Sequence, residues 1–131
     1  MANFNQLDMA QALLSHPSLT VKSGLFGLVK KLVYTPTGSP LRVIKNNYNP
    51  ESLPQLQRII EAGSAKEVVA AVRACNVNKL EIGNIELDAC VSADRQFVAL
   101  QLLQFGDYAY RPISQPAFFE GELAQQVSLI L

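Results

Sequence analysis

Three acidic side chains near one predicted turn have the spacing that carboxylate chemistry requires. Glu81, Glu86 and Asp88 flank the dipeptide Gly83-Asn84, which lies between alternating apolar residues. That pattern predicts a two-residue β-hairpin, because glycine supplies the positive φ that the first central position of a type II′ turn requires. Two carboxylates on neighbouring strands could bind a divalent cation, act as an acid/base couple or receive a basic group of a partner.

The register of this hairpin decides which side chains meet. Pairing Ile82 with Ile85 places the apolar side chains on one face and sets Glu81 beside Glu86 on the other. Like charges at such a cross-strand position repel each other by about 0.2–1 kcal/mol. Lys79 would lie beside Asp88 and compensate part of the negative charge. We therefore expect these carboxylates to form a solvent-exposed face, without a metal ion.

The sequence contains few of the residues that nucleophilic or metal-assisted catalysis uses. His16 is the only histidine, and Cys75 and Cys90 are the only cysteines, at a spacing that matches no zinc or redox motif. The glycines form no phosphate-binding loop. We expect unreactive thiols, no catalytic residue, no metal and no cofactor. The alternative is a small enzyme whose site residues converge only in three dimensions.

A basic segment offers a second kind of chemistry. The basic segment 30–45 contains four cations, and its composition, with two nearby tyrosines, is suited to single-stranded nucleic acid; these residues are Lys30, Lys31, Arg42, Lys45, Tyr34 and Tyr48. Six basic and two acidic residues fall in positions 1–60, whereas five basic and nine acidic residues fall in positions 61–131. Because the whole chain is neutral, no overall field attracts a polyanion. The sequence favours a protein partner over nucleic acid.

Length and composition favour one globular domain over residues 1–131. Hydrophobic residues make up 49% of the chain and charged residues 17%, which is typical of a compact folded protein. No apolar run approaches the roughly 18 residues of a membrane span, and the N-terminus lacks the pattern of a secretory signal. Together with the two cysteines, these features predict a cytoplasmic protein.

The first third of the chain predicts one helix followed by strands. A helix is predicted over residues 4–15, ending before Pro17, because apolar residues fall at helical spacing; they are Phe4, Leu7, Ala10 or Met9, and Leu14. Residues 24–34 fit both a helix and a strand. We choose a strand–loop–strand arrangement over about 29–45, because residues 36–40 contain the prolines and glycine of a loop.

Two helices are predicted in the central part of the chain. Pro54 lies in the first turn of an apolar stripe that ends at Gly63, as expected of a helix with proline near its start and glycine after its end. Ser64 and Glu67 then form a capping box, which begins a helix that reaches Cys75. The short connection between the two helices predicts an αα-hairpin.

The remainder of the chain predicts an antiparallel sheet and a final helix. Val98, Leu100 and Leu102 alternate, which favours a strand over a helix for residues 96–105 and extends a meander around residues 79–105. An aromatic-rich loop or short strands are expected over 106–119, and a helix over 121–131. The predicted class is α+β, with an antiparallel sheet packed against the αα-hairpin and the N-terminal helix.

The expected function is that of a small protein–protein interaction module without catalytic activity, such as an adaptor, a chaperone-like protein or an inhibitor subunit. The partner would be another protein or a second copy of this chain. Aromatic residues are enriched in interface cores, and the apolar end at residues 129–131 needs cover. The candidate interaction surface consists of Glu81, Glu86, Tyr108, Tyr110, Phe118 and Phe119.

Overall fold

A computed structural model describes residues 3–23, 30–75 and 83–131 of the chain. These residues contain seven strands: β1 (Leu19–Ser23), β2 (Lys30–Tyr34), β3 (Ser39–Tyr48), β4 (Ile85–Ser92), β5 (Phe97–Gly106), β6 (Ala109–Pro112) and β7 (Ala117–Glu120). They also contain four α-helices: α1 (Ala10–Ser15), α2 (Leu53–Ile60), α3 (Ala65–Ala74) and α4 (Glu122–Val127). Short 3₁₀ turns occupy Phe4–Gln6, Pro50–Ser52 and Ser128–Ile130.

All strand pairs in the described residues are antiparallel. The strands are arranged in the order β1-β2-β3-β4-β5-β6, and β7 also pairs with β5. Because β4 occupies one edge of β5, strands β6 and β7 lie one after the other along its opposite edge. The predicted α+β class with an antiparallel sheet is confirmed.

One face of the central strands is covered by helices, and we call it the helix-covered face. The buried side chains of β4 and β5 on this face are all apolar; they are Ile85, Leu87, Ala89, Val91, Val98, Leu100 and Leu102. The αα-hairpin packs against them through the buried residues Leu56, Ile59, Val68 and Val72. Helix α4 adds Ala124 and Val127. Alternation on the strands and the apolar stripes of the helices therefore form a single core.

The opposite face of the same strands is covered by the N-terminal segment, and we call it the N-terminal face. Phe4, Leu7, Met9 and Leu13 pack there against the strand residues Cys90, Phe97 and Ala99. The predicted helix over 4–15 is present only as the Phe4–Gln6 turn and α1. Leu13 is fully buried whereas Leu14 is 44% exposed, so the buried stripe differs by one position from the prediction.

Several predicted elements are confirmed. The strand–loop–strand unit predicted over about 29–45 is formed by residues 30–48, and the strand predicted over 96–105 is formed by residues 97–106. The αα-hairpin begins its second helix at Ser64, whose hydroxyl accepts a hydrogen bond from the Glu67 backbone N–H at 3.3 Å. The Glu67 carboxylate accepts from the backbone N–H of Gly63 at 2.8 Å, one residue earlier than in the standard capping box.

The predicted register of the hairpin at Gly83-Asn84 is wrong. The residues predicted to form its first strand, including Glu81 and Ile82, lie outside the described residues. Both edges of β4 are already paired, since Ile85 lies opposite Tyr48 of β3 and Gln104 of β5. Gly83 does not have a positive φ. A Cβ atom there would overlap the backbone carbonyl of Tyr48, so close approach of two backbones requires this glycine.

Candidate functional site

Acidic residues of β4 lie on the N-terminal face and are buried. Lys45, Asp88 and Gln101 occupy one row across β3, β4 and β5. Glu86 lies two residues before Asp88 on the same face. Glu86 is 8% exposed and Asp88 is 1% exposed. The prediction that Glu86 and Asp88 lie on a solvent-exposed face is therefore wrong.

Lys45 lies beside both carboxylates. Its Nζ atom is 3.5 Å from Oε1 of Glu86 and 3.9 Å from Oδ2 of Asp88. Burial, followed by a hydrogen bond with Glu86 and the charge of Glu86, raises the pKa of Asp88 to about 8. At neutral pH Asp88 is therefore mostly protonated and lies beside Glu86 and Lys45.

Two acceptor atoms in this row have no hydrogen-bond partner among the described residues: Oδ1 of Asp88 and Oε1 of Gln101. The amide nitrogen of Gln101 donates to the carbonyl oxygen of Ser114 at 3.2 Å. When Asp88 is protonated, its carboxyl group can donate a hydrogen bond to the neighbouring Glu86. Because Glu86 and Asp88 are buried, a substrate cannot reach these two carboxyl groups in the described conformation.

Packing and burial constrain the other residues considered for catalysis. The His16 ring packs against Phe97 and Phe118, with centroid distances of 5.1 Å and 4.8 Å, and its Nδ1 accepts from the Ser18 backbone N–H at 3.1 Å. Burial raises the pKa of Cys90 to about 12 and also raises the pKa of Cys75. Both cysteines are therefore thiols at neutral pH, not nucleophilic thiolates. No three histidine, cysteine or acidic side chains within the described ranges are grouped so that they could hold a metal ion.

The tyrosines of the basic segment are buried, not displayed for base stacking. The Tyr34 hydroxyl donates to Oε1 of Glu120 at 2.9 Å, and the Tyr48 hydroxyl donates to the carbonyl oxygen of Ile130 at 3.0 Å. Lys45 belongs to the ion pair described above. Tyr34 and Tyr48 therefore do not present the exposed rings on which bases would stack in the nucleic-acid alternative.

The aromatic segment at residues 105–119 is divided between the core and the surface. Phe118 and Phe119 are successive residues of β7, so their side chains point to opposite faces. Phe119 is buried in the core of the helix-covered face, and Phe118 packs on the N-terminal face. Phe118 and Phe119 therefore pack into two different cores in this conformation, and their place in an interaction surface stays a prediction.

Tyr108, in contrast, projects from the tip of the β5–β6 hairpin. Gly106 pairs with Ala109, and the two central residues, Asp107 and Tyr108, have φ angles of 51° and 66°. Tight hairpins favour such left-handed pairs, but asparagine and glycine usually occupy them. Tyr108 is 99% exposed. The chain therefore holds a bulky aromatic residue in an unfavourable backbone conformation without burying its ring.

The base of this hairpin is anchored to the sheet. The Tyr110 hydroxyl lies 2.8 Å from the carbonyl oxygen of Gly83 and 3.1 Å from Oδ1 of Asn47. Its ring packs edge-on against Phe105 at 5.2 Å. Phe105 is 49% exposed and was not predicted as a site residue, although it ends the alternating run of β5 on the same face as Tyr110. We call Phe105, Tyr108 and Tyr110 the aromatic tip.

No protein-family model, curated protein or solved structure significantly matches this chain. None of the helices in the described part of the chain is long and apolar enough to cross a lipid bilayer.

Proposed function

We propose that this protein is a protein–protein interaction module that binds its partner through the aromatic tip. The observation that supports this proposal is Tyr108, a fully exposed aromatic ring on a residue with a left-handed backbone. A bulky residue in this region of φ/ψ space costs on the order of 1–3 kcal/mol. No intramolecular packing offsets that cost, because the ring is 99% exposed.

The chemistry of the aromatic tip suits an apolar pocket on a partner. Tyrosine is enriched among residues that dominate binding energies, since its ring buries a large area and its hydroxyl can still find a polar group. Phe105 adds a second, half-exposed ring beside Tyr110. The contacts of Tyr110 keep its ring and that of Phe105 in place before binding, which reduces the entropy lost on association.

Site-specific photo-crosslinking tests this surface directly. A benzophenone amino acid would replace Tyr108 in one preparation and Leu129, an exposed apolar residue on the C-terminal turn, in a matched control. We expect discrete crosslinked species from position 108 that the control does not form. Mass spectrometry of those species identifies the partner, and a crosslinked pair of identical chains would identify self-association. Equal crosslinking from both positions would contradict the proposal.

A conservative variant separates binding from folding. Tyr108→Asn keeps a residue that accepts the left-handed conformation and removes the ring. We expect the unfolding midpoint to stay the same or rise slightly, because backbone strain is relieved, and partner capture to be lost. A clear fall in the unfolding midpoint would instead assign Tyr108 a structural role.

A further inference from the structure

Strands β2 and β3 pair over only two residue positions and then separate. Val33 lies opposite Pro40 and Tyr34 opposite Ser39. Beyond these positions, residues 30–32 pair only with β1, and residues 41–48 pair only with β4. Each strand therefore has an edge that faces the gap without a partner strand in the described part of the chain.

The gap between these two strands is a cleft of about 350 Å³. Its apolar lining comes from Phe4 of the N-terminal segment, Leu32 of β2, and Leu41 and Val43 of β3. Backbone N–H and C=O groups on the two facing edges form no ladder with each other over these residues. An unpaired strand edge beside apolar pockets is the arrangement that proteins use to bind an extended peptide as an additional strand.

Cations surround this cleft. Lys30, Lys31 and Arg42 line it, and Lys22 lies directly opposite Lys31 on the β1–β2 pair. Like charges placed directly opposite each other are unfavourable. Within residues 3–23, 30–75 and 83–131, both salt bridges involve Lys45, so no acidic side chain there neutralises the four cations. An acidic ligand would relieve their repulsion.

We propose that the β2–β3 cleft binds an extended acidic segment of a partner protein, which inserts as a strand between β2 and β3. Its backbone would pair with the free strand edges, its apolar side chains would enter the lining formed by Leu32, Leu41 and Val43, and its carboxylates would meet the cations. This site is distinct from the aromatic tip, since β2 and β6 lie on opposite sides of the central strands β3 to β5.

The test uses the full-length protein and a fluorescein-labelled peptide of alternating glutamate and valine, followed by fluorescence anisotropy. We expect saturable binding that weakens as salt is added, because exposed charges are screened. A lysine–valine peptide of the same length should not bind. The glutamate–valine peptide with N-methylated backbone amides should bind at least about tenfold more weakly, because it cannot donate to the free edges.

Charge-reversal variants locate the site. The double variant Lys31→Glu/Arg42→Glu should weaken binding of the glutamate–valine peptide about tenfold or more. The matched control, Arg58→Glu/Lys66→Glu, reverses two exposed cations on α2 and α3 and should leave the affinity unchanged. Amide exchange should show new protection at residues 30–32 and 41–43 when the peptide is bound.

Several results would overturn the proposal. They are equal binding of the acidic and basic peptides, equal loss of affinity in both double variants, and full affinity of the N-methylated peptide. Binding of a single-stranded thymidine oligonucleotide to the same residues with higher affinity than the peptide would assign the cleft to nucleic acid instead. If the cleft does not bind the peptide, the proposal for the aromatic tip still stands, because the crosslinking experiment at Tyr108 reports on a separate surface.

Discussion

The two faces of strands β4 and β5 are both buried, yet they are built from different chemistry. On the helix-covered face every buried side chain from these strands is apolar, as with Leu87, Leu100 and Leu102. On the N-terminal face, Cys90 and Phe97 share the surface with buried Asp88 and Gln101. The same two strands therefore contribute one wholly apolar core and one that contains ionisable groups.

Because of this difference, the two faces should contribute to stability in different ways. Burial of the apolar strand side chains on the helix-covered face contributes favourable free energy. Burying a carboxyl group is costly unless it is paired or protonated, and Asp88 is held close to Lys45 and Glu86. We expect the N-terminal face to respond to pH and the helix-covered face to respond chiefly to side-chain volume.

The largest effect should come from truncation on the helix-covered face. Leu102→Ala removes a fully buried side chain and should lower the free energy of unfolding by about 2–5 kcal/mol. Urea unfolding followed by circular dichroism measures this change. The loss should be similar at pH 5 and pH 8, and a strongly pH-dependent loss would contradict the separation of the two faces.

The next effect concerns the pH dependence that Asp88 confers. Its pKa in the folded protein is about 8, above the value of about 3.9 expected in the unfolded chain. The folded state therefore binds more protons, and its stability from this group is full below about pH 4 and is lost as pH rises through about 8. The loss should not exceed about 1.4 kcal/mol per pH unit, the limit for a single titrating group.

The variant Asp88→Asn checks this assignment, because an amide of the same shape does not titrate. We expect unfolding curves of the variant to change less with pH than those of the parent, with the variant more stable than the parent at pH 9. Glu86→Gln should flatten the dependence only in part, since burial is the first cause of the raised pKa. An unchanged slope in Asp88→Asn would show that another group titrates.

A smaller effect is expected where the hairpin of the aromatic tip is anchored. Tyr110→Phe removes the hydroxyl that contacts Gly83 and Asn47 and should cost about 0.5–1.5 kcal/mol. Hydrogen exchange at Ala109 and Arg111 should become faster, because β6 pairs with β5 over only four positions. Unchanged exchange would mean that the strand pairing alone holds the hairpin.

The smallest effect tests the cover of the N-terminal face. Leu14 is exposed on α1 whereas its neighbour Leu13 is buried. Leu14→Ser should change the free energy of unfolding by no more than about 0.5 kcal/mol, whereas Leu13→Ala should cost about 2–5 kcal/mol. Thermal unfolding of the two variants provides the comparison, and equal losses would place the buried stripe of α1 elsewhere.

The sequence by itself determined the elements whose signals are local. Ser64 and Glu67 are close along the chain, so the start of α3 could be predicted from capping chemistry. The alternation of Val98, Leu100 and Leu102 predicted both a strand and its apolar face. The aromatic tip was predicted in part, because Tyr108 and Tyr110 lie in a segment rich in turn residues and aromatic side chains.

Only the tertiary structure decided which polar residues are buried. A period of two assigns Glu86 and Asp88 to the same face of β4, but it does not say what covers that face. The cover comes from residues 4–13, distant in sequence, and Lys45 comes from a third segment. In the same way, Gly83 follows a turn pattern in the sequence, whereas its backbone contact with Tyr48 exists only after β3 and β4 have paired.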